Sequence, residues 1–129
     1  MIMKKGLLNK QTGQLGEDAA VAFLKSKKYK IIERNYKNKI GEIDIIAKTG
    51  EDLVFVEVKT RSSEKFGTPA EAVTYYKKQK IVNAAKWYIS QNSTELNIRF
   101  DIIEVYGKVT DSGFDLEKIN HLIQVFQEV

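Results

Sequence analysis

The sequence contains no cysteine, a single histidine and a single proline among its 129 residues. Without cysteine the chain has neither a disulfide framework nor a thiolate zinc site, and one histidine cannot build a histidine-rich metal centre. No apolar run approaches the roughly 20 residues that a membrane-spanning helix needs, and the first residues lack the apolar segment of a signal peptide. We therefore expect a soluble, cytoplasmic protein that does not insert into membranes.

Length and composition predict one globular domain over residues 1–129, in which residues 1–11 form a flexible basic arm. The net charge of +4 is unevenly distributed, because residues 1–40 hold ten basic and three acidic side chains whereas the remainder holds eleven and fourteen. Such a basic segment suits a polyanionic partner, since phosphate contacts supply most non-specific affinity for nucleic acid. Lysine-rich surfaces also occur on ordinary soluble proteins, so charge alone leaves both interpretations open.

Residues 41–61 hold the most informative pattern in the chain. Acidic and β-branched residues alternate over 42–47, turn-forming residues occupy 49–52, and the alternation resumes over 53–59. This pattern predicts two antiparallel strands joined by a short turn. Because successive side chains of a strand point to opposite faces, one face should collect Ile43, Ile45, Val54, Val56 and Val58. The opposite face should collect Asp44, Glu57 and Lys59.

Two carboxylates and an ammonium group in the middle of strands require something that offsets their desolvation. A solvated face of an antiparallel sheet would do so, and so would a structural ion pair, although such a pair stabilises little at a surface. A third alternative is a divalent-metal site, because carboxylate oxygens are the ligands that Mg²⁺ prefers. In that case Lys59 could orient or deprotonate the water that attacks a phosphodiester.

Further sequence blocks extend this pattern along the chain: GQLGEDAA at 13–20, RNY at 34–36, GEIDII at 41–46, VFVEVKTR at 54–61, FGTPAEAV at 66–73 and RFD at 99–101. The Asp and Glu-x-Lys arrangement resembles the PD-(D/E)xK nuclease superfamily. The whole set, over residues 12 to 106, resembles the YraN family of endonuclease-like bacterial proteins within that superfamily. One departure is Ile43, which stands where the superfamily's name has proline.

The resemblance implies a restriction-endonuclease-like α-β-α sandwich, an α/β fold with a central mixed sheet, helices on both faces and the order α-β-β-β-α-β. It also implies a metal-dependent nuclease that hydrolyses phosphodiester bonds, with DNA favoured over RNA and a homodimer as a further expectation. The alternatives are a nucleic-acid-binding module that keeps the fold without cutting, and an interaction protein whose carboxylates simply pair with neighbouring basic groups.

By the same resemblance, Asp44, Glu57 and the carbonyl group of Val58 would bind Mg²⁺ or Mn²⁺, and Lys59 would position the attacking water. Glu17 would be an auxiliary carboxylate, although an acid near a helix start is also explained by the helix dipole. The residues expected to contact nucleic acid are Arg34, Arg61 and Lys77. Arg34 could instead pair with Glu33.

The remaining elements follow from periodicity and capping patterns. The predicted segments are a helix from Thr12 to about Lys27, a strand over 31–36, a polar loop over 60–67, a helix from Thr68 to about Gln91, a strand over 98–106 and a short edge strand over 114–123. The second helix should bury Ile81, Ala84, Ala85, Tyr88 and Ile89. Trp87 is expected to pack rather than to stack on a nucleobase, and His121 is expected to lie at the surface.

Overall fold

The computed structural model describes residues 5–62 and 75–126 of the chain. These residues form a mixed α/β structure with two helices and one five-stranded sheet. In chain order the elements are α1 (Lys5–Ser26), β1 (Lys30–Lys37), β2 (Glu42–Thr49), β3 (Asp52–Arg61), α2 (Tyr75–Gln91), β4 (Asn97–Thr110) and β5 (Gly113–Phe126).

The strands lie in the sheet in the same order as in the chain. Strands β1, β2 and β3 form an antiparallel meander, and the predicted turn between β2 and β3 is confirmed, with Gly50 at a φ of 55°. Strand β4 then pairs with β3 in parallel, and β5 returns antiparallel to β4. A parallel pair needs a long crossover, and the connection between β3 and β4 contains α2.

The sheet separates two apolar cores, because the alternating side chains of β3 point to different helices. Val54 and Val56 pack with α1, whereas Phe55 packs with α2. The α1 core also contains Ala20, Val21, Leu24, Ile45, Ala47, Ile103 and Val105. The α2 core also contains Ile43, Ile46, Leu53, Ile81, Val82, Ala84, Ala85, Tyr88 and Phe100. The predicted buried stripe of α2 is confirmed, with Ile89 partly buried at its margin.

The first helix begins earlier than the sequence predicted. It starts at Lys5 rather than near Thr12, so residues 5–11 belong to α1 and not to a flexible arm. Nothing between Leu7 and Gln11 breaks a helix, and leucine, lysine and glutamine favour one. The capping preference of Thr12 was therefore weaker than the helix-forming tendency on both sides of it. The predicted start of the second helix at Thr68 lies outside the described residues.

The edge strand predicted over 114–123 is confirmed, but as β5 it is longer, with 14 residues, and it follows the last strand of the predicted α-β-β-β-α-β order. The prediction that His121 lies at the surface is wrong. His121, on β5, is largely buried, because its ring packs edge-on against Phe23 and Tyr29. Trp87 packs only in part, since 49% of it is exposed.

The prediction that Ile43 and Ile45 share a face is also wrong. Ile45 lies in the α1 core and Ile43 in the α2 core. The physical reason is that the pairing between β2 and β3 stops at Ile45 and Val56, so the regular alternation of β2 is lost one residue further on. That irregularity falls at Asp44.

Candidate functional site

Asp44 occupies the point at which β2 separates from β3. Its Oδ2 accepts a hydrogen bond of 2.7 Å from the backbone N–H of Val58. The pairing between β2 and β3 ends at Ile45 and Val56, so Val58 is not paired with a residue of β2. In an extended strand the N–H and C=O of one residue point to the same side, so we expect the Val58 carbonyl oxygen to face this gap as well. On the other side, Asn35 of β1 lies between the paired positions Arg34–Ile45 and Tyr36–Ile43 and has a φ of 51°.

Glu57 and the lysines around it lie next to Asp44. Lys59 Nζ is 3.1 Å from Glu57 Oε1, and Lys77 Nζ, on α2, is 3.7 Å from the same oxygen. The side chains of Glu57 and Lys59 are only 11% and 16% exposed. The structure thus brings Asp44, Glu57 and Lys59 together at one end of the β2–β3 pair, and Lys77 of α2 lies beside them.

Within this group the ionised form of Asp44 is disfavoured. Burial, followed by the negative charge of Glu57, raises the pKa of Asp44 to about 7, although the Val58 N–H favours its ionised form. Burial acts to lower the pKa of Lys59, but its contacts with Lys77 and Glu57 outweigh this and raise it. The adjacent Lys59 ammonium, and then burial, lower the pKa of Lys77. The carboxylates therefore lie within a partly desolvated cluster whose like charges are incompletely compensated.

Two cavities meet at Asp44. The larger, of about 440 Å³, lies on the α1 side and is lined among others by Glu17, Asp44, Lys59 and Arg61. The smaller, of about 260 Å³, lies on the α2 side and is lined among others by Asp44, Glu57 and Lys77. The carboxylate of Asp44 is therefore accessible from both, within a surface of mixed charge.

Close contact between α1 and β3 places Glu17 in the larger cavity. A Cβ at Gly16 would lie 1.9 Å from Thr60 Oγ1, so only glycine lets the helix approach the strand this closely. Gly13, one turn earlier, has no neighbour within 4 Å of such an atom. Glu17 is 7% exposed, and Arg34 Nε donates to its Oε1 at 3.2 Å.

The three residues expected to contact nucleic acid are in different situations. Arg61 lines the larger cavity and Lys77 the smaller one. Arg34 does not pair with Glu33; its guanidinium group binds Glu17 and Asp18 of α1. The predicted loop over 60–67 begins at residue 62, because β3 runs to Arg61, and its remaining residues lie outside the described ones.

Sequence reasoning did not identify Asn35 or Gly16 as residues that shape the site. Asparagine tolerates a positive φ better than most residues, so an asparagine within a strand pattern was a usable signal. A glycine on the inner side of a predicted helix was another, because it marks close approach of a neighbouring element.

The donor set of the site is made of oxygen atoms. In the described parts of the chain, no group of three or more His, Cys, Asp or Glu side chains is arranged to hold a metal ion. We refer to the space around Asp44, where the two cavities meet, as the hollow. Asp44 and Glu57 are carboxylates at its wall, and the Val58 carbonyl is the expected third oxygen. Such donors suit hard cations like Mg²⁺, which keep several waters when bound to proteins.

A second polar cluster lies on the α1 side of β4 and is built differently. Arg99 forms two hydrogen bonds with Asp101, of 3.0 and 2.9 Å, and also binds Asp52 and the Tyr29 hydroxyl group. His121 Nε2 lies 2.7 Å from Asp101 Oδ2. Burial alone would raise the pKa of Asp101, but the hydrogen bonds from His121, Arg99 and a backbone N–H on β5 together lower it. We refer to these residues as the Arg99–Asp101 network.

The fold and the hollow define a mixed α/β protein with a charged, partly buried site at the open end of a strand pair. The chain belongs to the Uncharacterised protein family UPF0102, whose profile matches residues 16–105. It is 52% identical over 126 residues to a UPF0102 protein of Caldanaerobacter subterraneus subsp. tengcongensis, covering 96% of this chain and 100% of that one.

Other relatives agree with this assignment. A UPF0102 protein of Clostridioides difficile is 50% identical over 92% of this chain and 98% of its own length. One from Clostridium acetobutylicum is 45% identical, with the same two coverages. These names state a family and no activity. Neither helix, over the part of the chain that is described, is long and apolar enough to cross a membrane.

Proposed function

We propose that this protein is a metal-dependent nuclease with a restriction-endonuclease-like fold, and that it hydrolyses phosphodiester bonds in nucleic acid, preferentially DNA. The observation that carries the proposal is the state of Asp44, a partly buried carboxylate beside Lys59 at the junction of two cavities, and the pKa of Asp44 is raised to about 7 by burial and by Glu57. Strongly perturbed carboxylates in a cleft are typical of functional sites. The arrangement of α1 and α2 on opposite sides of a mixed sheet, together with the Glu-x-Lys pattern, supports the fold assignment.

The residues present fit a divalent cation. A cation such as Mg²⁺ or Mn²⁺ would be held by Asp44, Glu57 and the Val58 carbonyl, and it would offset the repulsion that raises the pKa of Asp44. When bound, it supplies a Lewis acid for the phosphate and acidifies a water molecule. Lys59 compensates the charge of the Asp44 carboxylate only in part, and the cation would complete that compensation.

The remaining groups of the hollow have roles that follow from their positions. The ammonium group of Lys59 lies 3.1 Å from Glu57, and Lys59 lines the wall of the larger cavity. From this position its positive charge orients the attacking water and stabilises negative charge on the phosphate. Arg61 and Lys77 hold neighbouring phosphates from the rims of the two cavities. Glu17 lines the same cavity as Asp44 and acts as the auxiliary carboxylate, oriented by Arg34.

Cleavage assays on matched variants test this proposal. Wild-type protein and the variants Asp44→Asn, Glu57→Gln and Lys59→Met would be incubated with end-labelled DNA and RNA, single-stranded, duplex and branched, in Mg²⁺, Mn²⁺ or chelator. We expect metal-dependent cleavage by the wild type and a loss of at least about 100-fold in each variant. Asp111→Asn, an exposed acid in the β4–β5 turn, should cut normally. Cleavage that survives in Asp44→Asn, or that persists in chelator, would refute the assigned roles.

A second candidate is a nucleic-acid-binding module that does not cut. The contacts of Glu57 favour it, because Lys59 and Lys77 both lie within 4 Å of one carboxylate oxygen and already compensate its charge. The same assay separates the two candidates: this one requires that labelled nucleic acid binds, that no metal supports cleavage, and that Asp44→Asn binds as the wild type does.

A further inference from the structure

A cavity of about 410 Å³ lies beside the proposed site, and the proposed mechanism does not use it. It is lined by Asn38, Lys39 and Ile40, in the turn between β1 and β2, and by Trp87 of α2. Trp87 is 49% exposed and Ile40 is 40% exposed, so a large aromatic face and an aliphatic side chain border an open space. We refer to this cavity as the Trp87 pocket.

The turn that forms one wall of the Trp87 pocket is held rigidly. Asn38 Oδ1 accepts hydrogen bonds from the backbone N–H groups of Ile40 and Gly41, at 2.8 and 3.1 Å. Its amide group donates to the Tyr36 hydroxyl oxygen at 3.1 Å and to the carbonyl oxygen of Ala84 on α2 at 3.4 Å. The pocket is therefore preformed between the turn and the helix, and little conformational entropy would be lost when a ligand enters it.

The Trp87 pocket adjoins the proposed site. Gly41 directly follows the turn and lines the smaller cavity together with Asp44 and Glu57. Lys80 lines that cavity too, and Trp87 follows it by seven residues on the same side of α2, a distance of about 10 Å along the helix. A chain of nucleotides that reaches Asp44 along α2 would therefore pass the exposed indole ring.

The chemistry of the wall favours a nucleobase as the occupant. A base stacks on an aromatic side chain whatever its sequence, and nearby lysines bind the phosphates on either side of it. Lys39 lines the pocket and none of the four described lining residues is acidic, so the charge complements a polyanion. Asn38 uses its side chain to hold the turn, which leaves the indole face as the main recognition surface.

We propose that the Trp87 pocket binds one unpaired nucleobase of the substrate strand by stacking on Trp87. The inference rests on the proposed function and narrows its substrate class to nucleic acid that has single-stranded or unpaired nucleotides near the cleaved bond. A fully paired duplex keeps its bases stacked on one another, so it would leave the pocket empty.

Trp87 is the single tryptophan of the chain, so intrinsic tryptophan fluorescence reports on this pocket alone. The wild-type protein, in chelator to prevent cleavage, would be titrated with a single-stranded 12-mer, a blunt duplex of the same sequence and a 12-mer of abasic sugar-phosphate. We expect strong quenching by the single strand and little by the duplex or the abasic strand. Equal quenching by the abasic strand would overturn the inference, because it would attribute the signal to charge.

Binding of a labelled single strand, followed by fluorescence anisotropy, provides the mutational test. Trp87→Ala should weaken binding by about 10-fold or more, the size expected when one stacked base is lost, and Trp87→Phe should retain most of the affinity. The matched controls are Ile123→Ala and Leu116→Ala, which remove exposed apolar side chains from β5 and should bind as the wild type does. Unchanged affinity in Trp87→Ala would overturn the inference.

The two proposals fail in distinguishable ways. Quenching by single strands without cleavage in any metal would support the Trp87 pocket and refute the nuclease. Metal-dependent cleavage without quenching, or equal cleavage of the single strand by Trp87→Ala and wild type, would support the nuclease and refute the pocket. A protein that binds no nucleic acid refutes both.

Discussion

Two aspartates of the same sheet, Asp101 and Asp44, have opposite electrostatic situations. Asp101 on β4 is completely buried and accepts hydrogen bonds from Arg99, His121 and the backbone N–H of Gln124, which together lower its pKa. Asp44 on β2 is bound by the N–H of Val58, and burial together with Glu57 raises its pKa to about 7. The residue type is the same, but the first charge is compensated and the second is not.

The difference separates a group that stabilises the fold from one that is available for chemistry. The Arg99–Asp101 network connects β4 to Asp52 on β3, to Tyr29 after α1 and to His121 on β5. A buried polar network with satisfied partners makes the packing of its elements specific. The Asp44 hollow instead keeps two carboxylates near each other at a cost in stability, which is the usual signature of a functional site.

The largest effect is expected from breaking the Arg99–Asp101 network. Arg99→Ala would leave the Asp101 carboxylate buried without its two guanidinium hydrogen bonds, so we expect a loss of about 3–5 kcal/mol in the free energy of unfolding, measured in urea at pH 7. Arg61→Ala, at an exposed position of β3, should change it by less than about 0.5 kcal/mol. A loss below about 1 kcal/mol in Arg99→Ala would show that the network does not stabilise the fold.

The second prediction concerns the pH dependence that Asp44 introduces. Its pKa of about 7 in the folded protein lies above the ordinary value of 3.8, so the folded state binds the proton more tightly. The resulting stabilisation is complete below about pH 4 and is lost as the pH rises to about 7, by an amount on the order of 4 kcal/mol. Unfolding free energies of wild type and Asp44→Asn in metal-free buffer test this.

In that experiment Asp44→Asn should show a flatter profile between pH 4 and 7. Asp101 behaves in the opposite sense: its lowered pKa contributes stability above its ordinary value of 3.8 that is lost as the pH falls further. Mg²⁺ should stabilise the wild type near pH 7 and leave Asp44→Asn unaffected, because a ligand that binds only the folded state adds to its stability. Parallel pH profiles of the two proteins would contradict the assignment to Asp44.

A smaller loss is expected at His121. His121→Ala removes a 2.7 Å contact with the charged Asp101 and two edge-on ring contacts, with Phe23 and Tyr29, so we expect about 2 kcal/mol in the free energy of unfolding. The double variant Arg99→Ala/His121→Ala should lose less than the sum of the single losses, because both side chains act on the same carboxylate. Additive losses would mean that His121 stabilises by packing alone.

The sequence predicted the elements that contain the hollow because their signals are local. Alternation and turn residues located β2, β3 and the turn between them, and the apolar stripe located the buried side of α2. Asp44, Glu57 and Lys59 were placed near each other by period-two reasoning on two adjacent strands. That reasoning needed the turn and the pleat, and the structure contains both as far as the Ile45–Val56 pair, one residue short of Asp44.

What could not be predicted depends on long-range contacts. The end of the β2–β3 pairing at Ile45 moved Ile43 to the other core, and no local signal marks where a ladder stops. The burial of His121 depends on Phe23 and Tyr29, which are distant in the chain, and on Asp101 of β4. Periodicity describes one element at a time, so it does not reveal a network that joins β3, β4, β5 and Tyr29.

The smallest effect is expected where an ion pair lies at the surface beside the hollow. Arg34 is 36% exposed and binds Glu17 and Asp18, and its hydrogen bond to Asp18, set against the weaker effect of burial, lowers the pKa of Asp18. Because exposed pairs are screened by water and salt, Arg34→Ala should change the free energy of unfolding by less than about 1 kcal/mol, and 1 M salt should abolish the difference.

Under the proposed function the same variant should slow cleavage, since Glu17 would lose the group that orients it in the cavity. Arg34→Lys should restore the charge but not the contact with both acids. If Arg34→Ala lost several kcal/mol in the free energy of unfolding, Arg34 would stabilise the fold as Arg99 does. Its main role would then not be to orient Glu17.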